Sequence, residues 1–233
     1  PKQTKFVTIL RHPLNQLSSV FGQFNLCKHF KLMSSNSCLE AFLENPEKYD
    51  HLKRCSECCV NEESNDRKRS CTKNFMASHF GYRNVPDNYT HLFRFHDWLE
   101  YLDDRFDFIG FTENMPESLV YLRRLFQWDT IDILTLHLRN KESEKNINSF
   151  HKMSDTYKRW SQVDYMIYNH FYPTFQRKIK EAGDDLQSEV QHYVSLLEKV
   201  STFCYRLCTD LVQWFSSETL EKHFEYLQRI YLP

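Results

Sequence analysis

The chain has 233 residues, of which 41% are apolar and 15% aromatic, enough to bury one sizeable core. Its 30 basic and 31 acidic residues give a formal net charge of −1, so no overall field indicates a nucleic acid or an anionic membrane as partner. There are only four glycines and no G-x-x-x-x-G-K motif, so these residues do not contain the common glycine-rich phosphate loop. Any anion site in the chain must therefore be local.

The first predicted unit is a strand, a turn and a helix in residues 5–24, KFVTILRHPLNQLSSVFGQF. The apolar run 6–10 is typical of a buried strand. Pro13 suits the first turn of a helix, where its missing N–H has no partner to lose. Apolar residues then recur at helical spacing, which predicts a helix that continues to about Leu32.

Arg11 and Ser19 are the candidate site residues of this unit. Arg11 follows the strand at its carboxyl end, where open α/β sheets bind ligands, and Ser19 lies eight residues on, near the start of the helix. A planar guanidinium and a hydroxyl together suit a phosphate group. The alternative is that Arg11 is a solvated strand-end charge and Ser19 a surface residue of the helix.

A polar segment at about residues 51–73 predicts an inserted surface loop that is rich in cysteine. It contains Cys55, Cys58, Cys59 and Cys71. Their Cys-x-x-Cys spacing suggests zinc, but a second well-spaced pair is lacking, and disulfides or unpaired cysteines are the alternatives. The eight cysteines of the whole chain indicate an oxidising compartment, and an N-glycosylation acceptor at Asn88 fits such a compartment.

A second strand, turn and helix follow a predicted helix at residues 91–104. Residues 106–112 are apolar enough for a central parallel strand, and Thr112 stands at its ligand edge. Asn114 and Glu117 have the spacing of a capping box for the next helix. That helix also carries two charges that we expect to be solvated, Arg123 and Arg124. The repeated unit predicts a doubly wound α/β protein with a parallel sheet.

The remaining residues predict a largely helical region. Residues 131–138 predict a further strand or a short helix, and the polar residues 139–148 predict a loop. The region at about residues 154–233 carries helical patterns, in which Pro173 either kinks a helix or begins its second half. A last helix is predicted at residues 218–231.

Several of these segments resemble known sulfotransferases. Arg-x-Pro, with serine eight residues after the arginine, resembles the 3′-phosphate-binding segment of enzymes that use 3′-phosphoadenosine 5′-phosphosulfate (PAPS). Residues 106–128, FDFIGFTENMPESLVYLRRLFQW, and residues 167–182, IYNHFYPTFQRKIKEA, are similar to the galactose-3-O-sulfotransferase family, which includes galactosylceramide sulfotransferase. Residues 74–82 resemble a family segment that carries an aspartate where this chain has His79, so we assign His79 no role.

The resemblance implies an α/β, P-loop NTPase-like three-layer sulfotransferase fold with a parallel sheet and a helix-rich C-terminal half. On this view residues 1–233 are one partial sulfotransferase domain. The family places the 5′-phosphosulfate loop, the catalytic base and the membrane anchor in segments that would precede Pro1, so no catalytic residue is named. The implied location is the Golgi membrane, with the catalytic domain in the lumen.

The resemblance also implies the chemistry and the site residues. PAPS would be the co-substrate, without a metal, and the acceptor would be the galactose 3-hydroxyl of a glycolipid or glycoprotein glycan. Arg11 and Ser19 would bind the 3′-phosphate, and Thr112 would line the nucleotide pocket or only satisfy the backbone near its turn. Arg139 and Lys141 would add positive charge near the 3′-phosphate or form an exposed loop.

Two other functions are compatible with the same residues. The chain could be a truncated or degenerate family member that binds a nucleotide or a glycan without turnover. It could also be a nucleotide kinase-like protein on a P-loop scaffold, because fold alone does not choose between phosphoryl and sulfuryl transfer. In either of the sulfotransferase interpretations, the 233 residues by themselves are expected to be inactive.

Overall fold

The computed structural model describes residues 4–32, 37–49, 70, 72–82, 89–135 and 154–216. Several of the sequence predictions lie outside these residues. They concern Cys55, Cys58, Cys59, Cys71, Asn88, Arg139, Lys141 and the last helix at residues 218–231.

Two strands and a series of helices follow one another along the described residues. In chain order they are β1 (Val7–Leu10), α1 (Pro13–Gln23), α2 (Leu26–His29), α3 (Cys38–Glu44), α4 (Phe75–His79), α5 (Tyr89–Arg105), β2 (Phe108–Phe111), α6 (Met115–Phe126), α7 (Ser154–Trp160), α8 (Gln162–Glu181) and α9 (Gly183–Ser216). Short 3₁₀ turns lie at Pro46–Tyr49, Thr112–Asn114 and Thr130–Ile133.

The strands β1 and β2 pair in parallel, with Val7 opposite Phe108 and Leu10 opposite Phe111. Every residue of β2 is buried, as expected for a parallel strand that is covered on both faces. The protein is therefore a helix-rich α/β structure with a small parallel sheet, as the sequence predicts. The P-loop NTPase-like three-layer arrangement and the division of the chain into domains stay predictions.

Two apolar clusters form the core. The first packs β2 against α5, α6, α8 and α9, and the second packs α1 against α2, α3 and α7. Helix α8 joins them, because Ile167 belongs to the first cluster and Tyr165 to the second. A disulfide between Cys27 and Cys38, whose Cα atoms are 5.7 Å apart, ties α2 to α3.

The first helix is shorter than the sequence predicts. It ends at Gln23 instead of near Leu32, because Asn25 adopts a left-handed backbone conformation with φ of 50°. Asparagine is one of the few residues that tolerate this conformation, and it separates α1 from α2. By contrast, α8 runs unbroken through Pro173 from Gln162 to Glu181.

One local prediction is also wrong. The Asn114–Glu117 capping box does not form, because Asn114 ends the 3₁₀ turn before α6 and donates its amide to the Glu117 carboxylate instead. Of the strand or short helix predicted for residues 131–138, the described part forms a short helix, the 3₁₀ turn at Thr130–Ile133. Asp129 and Asp132 form a capping box there, and it stabilises the 3₁₀ turn.

A buried carboxylate joins α4 to the start of α8. Asp164, only 1% exposed, accepts the backbone N–H groups of Met76 at 3.2 Å and Ala77 at 2.9 Å. In return, the Asn74 side chain accepts the N–H of Val163 at 3.0 Å. The starts of the two helices therefore cap each other, which satisfies N–H groups that a helix leaves unpaired.

Burial gives Asp164 an unusual titration. It raises the pKa of this carboxyl to about 6, against the lowering effect of the hydrogen bonds from Ala77, Met76 and Ser161. The same group in the unfolded chain titrates near its ordinary pKa of 3.8. Between these two values the unfolded state has lost the proton and the folded state has kept it, so rising pH favours unfolding.

We therefore expect the Asp164 contribution to the free energy of unfolding to fall by about 3 kcal/mol in total as the pH rises from well below 4 to well above 6. Urea unfolding at several pH values measures it as the difference between the wild type and Asp164→Asn, which does not titrate. Asp104→Asn, an exposed carboxyl on α5, is the control and should keep the wild-type slope. An unchanged slope in Asp164→Asn would contradict the assignment.

Candidate functional site

The register of the sheet brings two of the predicted site residues to one edge. Because Leu10 lies opposite Phe111, the next residues, Arg11 and Thr112, leave the sheet side by side at its carboxyl end. Both residues are half-buried. Pairing across the strands therefore places the two predicted candidates next to each other, although 101 residues separate them in the sequence.

Ser19 lies in the second turn of α1, about 9 Å along the helix axis from Pro13. Its side chain is half-buried. The position of Ser19 relative to Arg11 therefore depends on the direction in which α1 leaves the turn after β1.

Glu113 connects the two turns at this edge. Its Oε1 accepts the backbone N–H of His12 at 2.9 Å and the side-chain amide of Asn15 at 3.2 Å. The turn after β2 is thus hydrogen-bonded both to the turn after β1 and to the first turn of α1. We did not predict this role from the sequence, although Glu113 belongs to the Thr-Glu pair within the family-like segment.

His12 packs as an aromatic ring in this structure. Its imidazole meets Tyr165 and Tyr168 edge-on, with ring centroids 5.5 and 5.2 Å away. Burial lowers the pKa of His12, Glu113 opposes this shift and Lys158 adds to it. A neutral imidazole at pH 7 follows, so the positive charge expected in the turn after β1 comes from Arg11.

Helix α8 supports the turn after β2 from the other side. The Tyr172 hydroxyl donates to Asn114 Oδ1 at 3.1 Å, and the Tyr172 ring stacks on Tyr168, with centroids 5.2 Å apart. Tyr168 also packs edge-on against Phe111 at the end of β2. The three family-like stretches, residues 5–24, 106–128 and 167–182, therefore meet at one edge of the sheet.

A separate cleft of about 240 Å³ lies between α6 and α9. Glu189 lines it and accepts hydrogen bonds from Arg123 at 2.6 Å and Arg124 at 3.0 Å. The expectation that these arginines are solvated is therefore wrong, since both pair with a carboxylate from a helix distant in sequence. None of the residues at the strand edge lines this cleft, so we do not place the candidate site in it.

The described residues contain neither a candidate metal site nor a helix that could span a membrane. No group of three or more histidine, cysteine, aspartate or glutamate side chains within the described ranges could hold a metal ion. Among the same residues, no helix has both the length and the apolar character needed to cross a bilayer.

Comparison with known proteins identifies the family. A sequence model described as galactose-3-O-sulfotransferase matches residues 1–214. The chain belongs to this family. Its relatives include galactose-3-O-sulfotransferase 3 of Bos taurus and of Homo sapiens, each 28% identical over 78% of this chain and 40% of the relative. Galactosylceramide sulfotransferase of Mus musculus is 23% identical over 93% of this chain and 47% of its own length.

The match covers only part of the length of each relative. The chain spans less than half the length of these members of the galactose-3-O-sulfotransferase family. No solved structure matches the chain at a significant level. The activity and substrates of the whole protein are therefore matters for proposal.

The support that α8 gives to the edge can be tested with two matched variants. Tyr172→Phe should lower the free energy of unfolding by about 1 kcal/mol, because it removes a hydrogen bond and leaves Asn114 Oδ1 without its donor. Tyr168→Phe is the matched control, since it removes the hydroxyl of the neighbouring tyrosine and keeps the stacked ring. Urea unfolding of both variants is the measurement, and equal losses would show that the hydroxyl of Tyr172 does not support the turn.

Proposed function

We propose that the protein is a PAPS-dependent carbohydrate sulfotransferase, which transfers a sulfuryl group to the 3-hydroxyl of galactose on a glycolipid or glycoprotein glycan. The observation that carries this proposal is the meeting of the three family-like segments at the carboxyl edge of the sheet. Ligands of open α/β sheets bind at that edge. Membership of the galactose-3-O-sulfotransferase family supports the same reaction.

The residues at the edge suit the nucleotide part of PAPS. The Arg11 guanidinium can offer two parallel N–H groups to the 3′-phosphate, and Ser19 can add a hydroxyl donor. Thr112, beside Arg11, would line the pocket of the nucleotide. We keep Arg139 and Lys141 as further candidates for contact with the 3′-phosphate.

Sulfuryl transfer needs more than this clamp. A base must take the proton of the galactose hydroxyl as its oxygen bonds to sulfur, and the bond from sulfur to the 5′-phosphate oxygen breaks. Donors must then stabilise the charge left on that phosphate. We assign neither role to a described residue, and His12 is packed between two tyrosine rings.

The same proposal includes a place in the cell. We infer a lumenal location at the Golgi membrane from the family resemblance, together with the eight cysteines, the Cys27–Cys38 disulfide and the N-glycosylation acceptor at Asn88. Disulfides persist in oxidising compartments, which supports a lumenal rather than a cytosolic site.

The direct test is calorimetry with adenosine 3′,5′-bisphosphate on the full-length protein. Arg11→Ala should weaken binding by about 10- to 100-fold, because a charge-assisted contact to the 3′-phosphate is lost. Arg105→Ala is the matched control, since Arg105 is exposed and precedes β2 at the opposite end of the sheet. Unchanged affinity in Arg11→Ala, or an equal loss in the control, would rule out the assignment. Tight binding with no transfer from labelled PAPS to galactose would favour the non-catalytic alternative.

A further inference from the structure

A carboxylate bridges the two strands at each end of the sheet. At the amino end, Asp107 accepts the backbone N–H of Phe6 at 2.8 Å and pairs with Lys5 at 3.4 Å. At the carboxyl end, Glu113 accepts the backbone N–H of His12 at 2.9 Å. The two bridges use the same kind of bond, but only the second stands beside the candidate nucleotide site.

We propose that Glu113 is a positioning residue for nucleotide binding, which holds the turn after β1 so that Arg11 presents its guanidinium to the ligand. This inference rests on the proposed function, because it takes the nucleotide to bind at Arg11. Glu113 itself need not touch the nucleotide. It acts on binding through the backbone that carries Arg11.

The hydrogen bonds of Glu113 restrain the backbone directly after Arg11. The His12 N–H belongs to the peptide group that joins Arg11 to His12, so its bond to Glu113 fixes the orientation of that group. The pairing of Leu10 with Phe111 restrains the backbone on the other side of Arg11. With both flanks held, Arg11 loses little backbone freedom when it binds an anion, and this lowers the entropic cost of binding.

A second bond extends the restraint to the helix that carries Ser19. Glu113 Oε1 also accepts the Asn15 amide in the first turn of α1. The direction in which α1 leaves the turn is thereby linked to β2. One carboxylate oxygen therefore relates both parts of the proposed phosphate clamp to the second strand.

The charge of Glu113 allows a positioning effect on binding to be separated from a direct electrostatic effect on the phosphate. A carboxylate near a bound phosphate repels it, so the negative charge alone should weaken binding. A favourable effect of Glu113 must then come from its acceptor oxygen. Glutamine keeps that oxygen and removes the charge, whereas alanine removes both.

The test compares variants of the full-length protein by calorimetry with adenosine 3′,5′-bisphosphate. Glu113→Ala should bind about tenfold more weakly, and Glu113→Gln should stay within about threefold of the wild type. Asp107→Ala, the matched control, removes the equivalent bridge at the far end and should keep the wild-type affinity. The Arg11→Ala/Glu113→Ala double variant should lose less affinity than the two single losses combined, because Glu113 acts in part through Arg11.

Amide exchange of the ligand-free protein gives a readout that does not depend on the nucleotide. Exchange in residues 11–16 should speed up in Glu113→Ala, but not in Asp107→Ala. If Glu113→Ala does not fold, Glu113→Asp takes its place, because its shorter side chain cannot keep both bonds to His12 and Asn15.

The outcomes separate the two proposals. Wild-type affinity in Glu113→Ala, or an equal loss in Glu113→Ala and Glu113→Gln, would overturn the positioning role while Arg11 binding stands. A wild-type protein that does not bind the bisphosphate would overturn the proposed function. Unchanged exchange in residues 11–16 would overturn the positioning role whether or not the nucleotide binds.

Discussion

The parallel pairing of β1 with β2 is the constraint on which the candidate site depends. The aligned pairs that end at Leu10 and Phe111 decide that Arg11 and Thr112 leave the sheet together. A slip of one residue in this register would change which residues lie opposite each other, and Arg11 would no longer leave the sheet beside Thr112. The carboxylates of Asp107 and Glu113, one at each end, make such a slip costly.

Helix α8 connects this edge to the rest of the protein. Its Tyr172 bonds to the turn after β2, its Tyr165 and Tyr168 enclose His12, and its Asp164 caps α4. One helix thus touches both turns of the site and belongs to both apolar clusters. The geometry of the edge therefore depends on a helix that begins more than 150 residues after β1.

Local sequence patterns were sufficient to predict the strands and the helix that carry the site residues. Apolar runs predicted both strands, and Pro13 marked the start of α1, because strand burial and proline placement act within a few residues. The end of α1 was wrong since Asn25 can adopt a left-handed conformation that apolar periodicity does not reveal.

Contacts between distant residues were beyond such patterns. Nothing in the sequence distinguishes Glu113, Asp164 and Glu189 from other acidic residues. Only the fold brings His12 to Glu113, Ala77 to Asp164, and the two arginines of α6 to Glu189. Each carboxylate bonds to a partner at least 65 residues away in the sequence. Helical or strand periodicity does not indicate contacts over such distances. The family resemblance named the three segments, but neither their meeting at one edge nor the bonds that join them.

If the two turns at the carboxyl edge bind the nucleotide as one unit, adenosine 3′,5′-bisphosphate should slow amide exchange in residues 10–16 and 111–118 together. Hydrogen–deuterium exchange of the full-length protein with and without this nucleotide measures the effect. Protection confined to residues 120–133 and 188–193, which line the cleft between α6 and α9, would contradict it.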